Sequence, residues 1–341
     1  MTISPNIQLV LSILLAMIPA FIWALYFFEP KDKNAKFFLK VFLGGTLTVF
    51  PILGLQLAYI EFANALPHLD FVGLIKDKVP NFYIITVITY AWVGISEELI
   101  KFFIVKHTDN KHPEITDTIN GVLKFGLLSG LGFAFSENIF YFYNIWKAFG
   151  IEGLLAPFLF RSTFTVCAHL MFSGIFAYHY GNAKFAEDII NFRKWKGEQI
   201  DNNEYKKFKR SSILKGLFLA MGLHALFNTL LELSSSFSGG QALVIAVIIQ
   251  VALMFFYLSS LLRTNSGNLR FIQADKHISV MEQNDIDVLL EYIGMRFSEE
   301  RYNEVIGMCE RLLHRDPDNN VAKIFKAKSE DKIKKNKEKT E

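Results

Sequence analysis

The chain runs to 341 residues, 51% of them hydrophobic and 20% charged, with a formal net charge of +3. The apolar share is about 54% when glycine replaces tyrosine in the count, above the roughly 45–50% of soluble domains, and the charged share falls below their usual roughly 25%. A soluble globular enzyme and a disordered chain are excluded, two cysteines cannot build a disulfide framework, and so small a charge does not imply nucleic acid.

The apolar residues gather in seven runs, at approximately residues 7–28, 37–60, 82–105, 125–146, 154–178, 214–233 and 241–262. Each is about 20 to 25 residues long, enough for a helix to cross roughly 30 Å of hydrocarbon. Met1 to Asn6 carries none of the Lys or Arg that the start of a cleaved signal peptide needs, so the first run reads as a membrane helix. The connections after the first, third and fifth runs hold Lys31, Lys33 and Lys36, then Lys106, Lys111 and Lys124, then eight basic residues from Lys184 to Arg210. Those on the other side hold only Lys76, Lys78 and Lys147. Fourteen against three places the first set in the cytoplasm, with the N-terminus outside and the C-terminus cytoplasmic.

After Leu262 the composition changes, with 15 basic and 15 acidic residues in the remainder. Tyr302, Val305, Ile306, Cys309, Leu312 and Leu313 recur at helical spacing, Asp316-Pro317 interrupts, and Val321, Ile324 and Phe325 resume. This helix, turn and helix resembles a tetratricopeptide repeat, and a single repeat cannot bury its own face. Either Asn284 to Phe297 adds a third helix or the unit leans on a protein partner. The last ten residues, rich in Lys and Glu, read as a disordered end. The fold class is thus all-α: a polytopic membrane domain of about seven spans over residues 1–262, and a small tetratricopeptide-like cytoplasmic module over 263–341.

An ionisable side chain at mid-bilayer costs about 2.5 to 3.5 kcal/mol, so each one calls for a reason. The third run carries Glu97, Glu98 and Lys101, the fourth Glu137 and Asn138, the fifth Arg161 and His169, and the sixth His224 and Asn228. Counted along each helix in its assigned direction, Glu97, Glu137, His169 and His224 fall within roughly 6 Å of one depth. Groups at one level can form one site. Lys101 stands three residues from Glu98 and four from Glu97, so it can offset one carboxylate and leave the other available. Thr165 and His169, and His224 and Asn228, are likewise four apart, so both helices present a polar stripe. Arg161 reads as a counter-ion in the outer third, and Gly126, Gly130 and Gly132 as points of close helix approach. No basic residue lies within one turn of Glu137. His107 and His112 read as solvated loop residues.

These residue types limit the chemistry. A carboxylate withdrawn from water suits a general base that takes a proton from a water molecule. Two histidines and a glutamate resemble the ligand set of a catalytic zinc ion, and a neutral amide such as Asn228 could stabilise an oxyanion. Together they favour hydrolysis of a peptide bond. Taken singly, a Glu98–Lys101 ion pair or an interhelical histidine also has a purely structural reading.

Glu97-Glu98-x-x-Lys101 in one span, Phe133-x-x-x-Glu137 in the next, then His169 and His224, resemble the PrsW family of bacterial intramembrane proteases. The glutamate pair, His169, and His224 with Asn228 are more distantly similar in order to the CAAX prenyl endopeptidases. The resemblance covers roughly residues 10–260. It implies an endopeptidase of a bacterial inner membrane whose substrate is a single-span membrane protein, in the founding case an anti-sigma factor in stress signalling. It implies that Glu97 or Glu98 activates water, and that Glu137, His169 and His224 bind a zinc ion or orient the scissile carbonyl without one. The appended tail departs from the family's short form. A proton-coupled transporter or channel, and a non-catalytic membrane adaptor or immunity protein, are the competing classes.

Overall fold

A computed structural model describes residues 4–27, 35–79, 81–111, 116, 119–195, 201, 203–237, 239–276 and 283–338. Lys31, Lys33 and His112 lie outside the described residues. Every regular element is helical: α1 Pro5–Phe27, α2 Ala35–Leu47, α3 Val49–Ala65, α4 Phe71–Lys78, α5 Phe82–Lys111, α6 Ile119–Phe149, α7 Leu155–Phe160, α8 Val166–Lys184, α9 Ala186–Trp195, α10 Glu204–Ser236, α11 Gln241–Lys276, α12 Gln283–Ser298, α13 Tyr302–Arg315 and α14 Asn320–Glu338. Among the described residues seven stretches are long and apolar enough to cross a membrane: Pro5–Tyr26, Phe37–Ala65, Phe82–Lys111, Ile119–Phe149, Glu152–Lys184, Glu204–Ser236 and Gln241–Leu262.

Two of the seven are not the continuous α-helices that their apolar runs suggest. The second breaks at Thr48 between α2 and α3. Pro51 lacks an N–H and its ring crowds the carbonyl four residues back, which is Leu47, the last residue of α2. The fifth consists of a short turn at Glu152–Leu154, then α7, a π-helical turn at Arg161–Thr165, and α8. Such wide turns recur at functional positions in helices.

The chain divides into two compact units, Met1–Ala183 with Arg210–Ser260, and Lys184–Lys209 with Leu261–Glu341. In the first, α6 is the central helix. It packs against α1, where Ala16, Phe142, Trp146 and Leu154 share a cluster, and against α2, where Phe37, Phe38 and Val41 meet Phe125 and Leu128. Its small residues permit this crowding. A side chain at Gly132 would overlap the Phe42 carbonyl of α2, and one at Gly126 would overlap Ala177 of α8. Large apolar residues such as Phe21, Phe218 and Phe256 face outward, as they do where the surroundings are hydrocarbon.

In the second unit α12, α13 and α14 share one core of Leu289, Ile293, Val305, Met308, Cys309, Leu312 and Ala322, flanked by Phe297 and Phe325. The third helix over Asn284–Phe297 is therefore present within this chain. The Lys- and Glu-rich end is helical as far as Glu338, and residues 339–341 of the segment expected to be disordered lie outside the described residues. Lys and Glu are good helix formers, and an i,i+4 pair, Lys335 on Asp331 at 2.7 Å, supports the exposed turns. No linker marks residue 262, because α11 continues from the apolar run to Lys276.

Candidate active site

The site is built where polar side chains of α5, α6, the fifth span and α10 meet. A Cβ on Gly94 of α5 would stand 3.0 Å from the Met221 carbonyl and the Ala225 nitrogen of α10, so these two backbones are nearly touching. That crossing lies one turn from Glu97 and Glu98 and brackets His224. At Gly130 of α6 a Cβ would stand 2.9 Å from the carbonyl of His169. Glycine at these two crossings lets the polar faces of four helices meet.

Glu98 is claimed from two sides. Lys101 Nζ donates to its Oε1 at 2.7 Å, and His224 Nδ1 lies 2.9 Å from the same oxygen. Lys101 also stands 3.5 Å from His169 Nδ1 and 4.0 Å from the centre of the Phe133 ring. Glu137 is claimed as well, by a residue eight positions before His169 on the fifth span. Arg161 donates from Nη2 to Glu137 Oε2 at 2.6 Å and from Nε to Asn138 Oδ1 at 2.8 Å. His169 Nε2 is 3.0 Å from the same Glu137 oxygen. On a regular helix, side chains eight residues apart diverge by about 80°. The π turn at Arg161–Thr165 takes up part of that rotation, so both residues reach one carboxylate.

Glu97 is the exception. It is buried, its Oε2 makes no hydrogen bond among the described residues, and it faces His224 Nε2 at 3.5 Å, an atom that is also buried and unbonded there. The network assigns the histidine tautomers. Lysine can only donate, so His169 Nδ1 accepts and its Nε2–H faces Glu137; Glu98 is already held as an ion pair, so His224 Nδ1–H donates to it. The lone pair of His224 Nε2 therefore faces the free oxygen of Glu97. Two electron-pair donors facing each other in a buried site require a proton, a water molecule or a cation between them.

Aromatic rings fix this geometry. The His224 ring stacks on Phe172 with centroids 4.7 Å apart and meets His169 edge-on at 5.1 Å. The Arg161 guanidinium lies 3.6 Å above the Tyr141 ring. Gln250 of α11 donates to the Leu223 carbonyl at 2.7 Å, holding α10 beside His224. Asn228 stays half-buried one turn beyond His224, and among the described residues its side chain makes no hydrogen bond to the other site residues. His107 is exposed near the end of α5.

The structure thus gathers Glu97, Glu98, Lys101, Glu137, Arg161, His169 and His224 into one cluster. It adds Asn138, which the sequence showed beside Glu137 without a role, and Gln250. A polar doublet in an apolar helix, with an arginine in the next span, is the signal that could have found Asn138. Glu137 has its cation after all, but from another helix, where spacing along one helix does not reach.

The donor types suit a divalent metal. His224 Nε2 and Glu97 Oε2 have unclaimed electron pairs, and His224 is oriented through Nδ1 by a carboxylate, as metal-binding histidines commonly are. Among the described residues no three His, Cys, Asp or Glu side chains already converge as a formed metal site. His169 and Glu137 are bonded to each other, and a metal taking both would displace the proton they share.

A model of PrsW family intramembrane metalloproteases matches residues 33–257. The chain is 29% identical over 173 residues to "Protease PrsW" of Geobacillus kaustophilus, covering 50% of this chain and 65% of that relative. It is 28% identical over 226 residues to the protein of the same name from Halalkalibacterium halodurans, covering 64% and 83%. For that of Oceanobacillus iheyensis it is 26% over 231 residues, covering 67% and 86%. No solved structure matches.

Proposed function

We propose, from the premise that this chain belongs to the PrsW family of intramembrane metalloproteases, that it hydrolyses a peptide bond in a single-span membrane protein inside the bilayer of a bacterial inner membrane. The observation that carries this reading is the facing pair Glu97 Oε2 and His224 Nε2, each buried and unbonded, 3.5 Å apart at the centre of the cluster. Glu97 lacks the direct cation contact that occupies Glu98 and Glu137, so it is the carboxylate free to act as base.

In this reading Glu97 takes a proton from water as the water oxygen bonds to the scissile carbon. It then returns that proton to the departing amine as the carbon–nitrogen bond breaks. Lys101 holds Glu98, Glu98 holds His224 Nδ1, and Arg161 holds Glu137, so each pair fixes the next member. His224, His169 and Glu137 are the residues that would hold a zinc ion, which supplies polarisation of the carbonyl and of the water when bound. Asn228, one turn from His224, is available to the substrate.

The excess of Lys and Arg in alternate connections supports an outside N-terminus and a cytoplasmic tail. A protein partner of the tail, residues 263–341, belongs to the same proposal; its helices α12, α13 and α14 already share a core within this chain. An anti-sigma factor is one single-span substrate that fits.

The test is co-expression with a panel of tagged single-span reporters, comparing the unaltered chain with Glu97→Gln, Glu98→Gln and His224→Ala. The expected result is a truncated reporter with the unaltered chain, and a loss of cleavage of about 10²–10⁴ in Glu97→Gln at equal membrane content. Full cleavage by all three variants would remove the site. Proton flux into proteoliposomes that depends on Glu97, without cleavage of any reporter, would move the chain to the transporter class. Metal analysis should find about one zinc per chain, bound less tightly in His224→Ala.

A further inference from the structure

The geometry points to Asn138 as a catalytic hydrogen-bond donor that binds the scissile carbonyl oxygen through Nδ2; this rests on the peptidase reading. Three observations lead there. Asn138 is 1% exposed, in the middle of an apolar helix, and its Nδ2 has no hydrogen-bond partner among the described residues. Its orientation is fixed by chemistry, because Arg161 Nε can only donate, so the atom 2.8 Å away must be the amide oxygen. The NH₂ group therefore occupies the other position, and the side chain cannot flip without setting two donors against each other.

Arg161 is itself immobilised, by Glu137 through Nη2 and by the Tyr141 ring beneath it. Asn138 Nδ2 is thus a neutral donor fixed by the same arginine that holds Glu137, the partner of His169. Leaving such a group unbonded is unfavourable, and an acceptor arriving with the substrate relieves that cost. A peptide carbonyl is that acceptor, and as water adds to its carbon the oxygen gains charge and the bond strengthens. Asn228 has no comparable restraint among the described residues.

Asparagine-to-aspartate separates this role from a merely structural one. Asn138→Asp keeps an oxygen for Arg161 and turns the donor into an acceptor, whereas Asn138→Ala removes both. On the most rapidly cleaved single-span reporter, donation to the carbonyl predicts that kcat falls about 10²–10³-fold in both variants with KM little changed. A role confined to holding Arg161 predicts an Asp variant close to the unaltered chain and far above Ala, and that result would overturn the proposal. Thermal stability in detergent and membrane content are measured alongside.

A double-mutant cycle of Asn138→Ala with Arg161→Lys gives a second reading that does not depend on the Asp variant folding. If Asn138 acts only through Arg161, its loss has no further effect in the Lys background; if it donates to the carbonyl, kcat falls about 10²-fold again. Unaltered chain and Glu97→Gln are the controls. Cleavage that needs Glu97 but not Asn138 Nδ2 rejects this proposal and leaves the peptidase reading in place. Absence of cleavage by the unaltered chain rejects both.

Discussion

Lys101→Met removes one charge from a pair whose side chains are 2% and 3% exposed and whose atoms are 2.7 Å apart. The carboxylate of Glu98 then stays in a water-poor interior with only His224 Nδ1 to stabilise it. Breaking a buried ion pair from one side costs about 3–5 kcal/mol, because the remaining charge is uncompensated. At about 1.4 kcal/mol per factor of ten, this raises the unfolding constant on the order of 10²- to 10⁴-fold. Glu98→Gln combined with Lys101→Met removes both charges of this pair and leaves neither uncompensated, and His224 can still donate to the amide oxygen. The double variant should therefore recover most of the lost stability, to within about 1 kcal/mol of the unaltered chain. The assay is equilibrium unfolding of the purified protein in mixed micelles by increasing denaturing detergent. A single variant as stable as the unaltered chain, or a double variant no more stable than the single, would refute the coupling of these residues.

Gly130→Leu has no room, since even a Cβ would press on the His169 carbonyl and Ser173 Oγ; it should cost about 1–3 kcal/mol or more and separate His169 from Glu137, abolishing reporter cleavage. Retention of both melting temperature and cleavage would show that α6 and α8 need not approach so closely. In the tail, burial pushes the Cys309 thiol from its ordinary 9.0 up to about 11. At pH 8 its thiolate fraction falls about 100-fold, and labelling by a thiol reagent in the folded protein should slow on that order, a rate that unfolding in urea restores. Because the folded state holds this proton more tightly, its contribution to stability is present below pH 9 and is lost as pH climbs from about 9 to about 11, which tail melting followed by circular dichroism would register. Alkaline phosphatase, active only outside the cytoplasm, should be inactive when fused after Glu338 and active when inserted at Lys147; the opposite pattern would invert the proposed orientation.

Much of the fold could be read from the sequence because hydrocarbon imposes simple rules. An apolar run of the right length must be a helix, since every backbone polar group has to find a partner within it. The breaks at Thr48 and at Arg161–Thr165 were hidden by those same runs, as apolar composition does not register a local change of helical pitch. At the end of the tail two sequence signals oppose each other. Charge density suggested a disordered segment, while the helix propensity of Lys and Glu and the spacing of Asp331 and Lys335 carried α14 to Glu338.

For the site, sequence alone shows which apolar runs bear charge and predicts a shared depth for those charges, because rise per residue and the cost of a charge in lipid depend on nothing beyond the chain itself. Tertiary packing assigned the partners. Lys101 could serve either neighbouring glutamate by spacing, and the rotation of α5 against α10 gives it Glu98 and leaves Glu97 facing His224. Arg161 reaches Glu137 and Asn138 across a helix boundary that no spacing rule crosses. Periodicity fixes which residues share a face of one helix, whereas the crossings at Gly94 and Gly130 determine which faces meet.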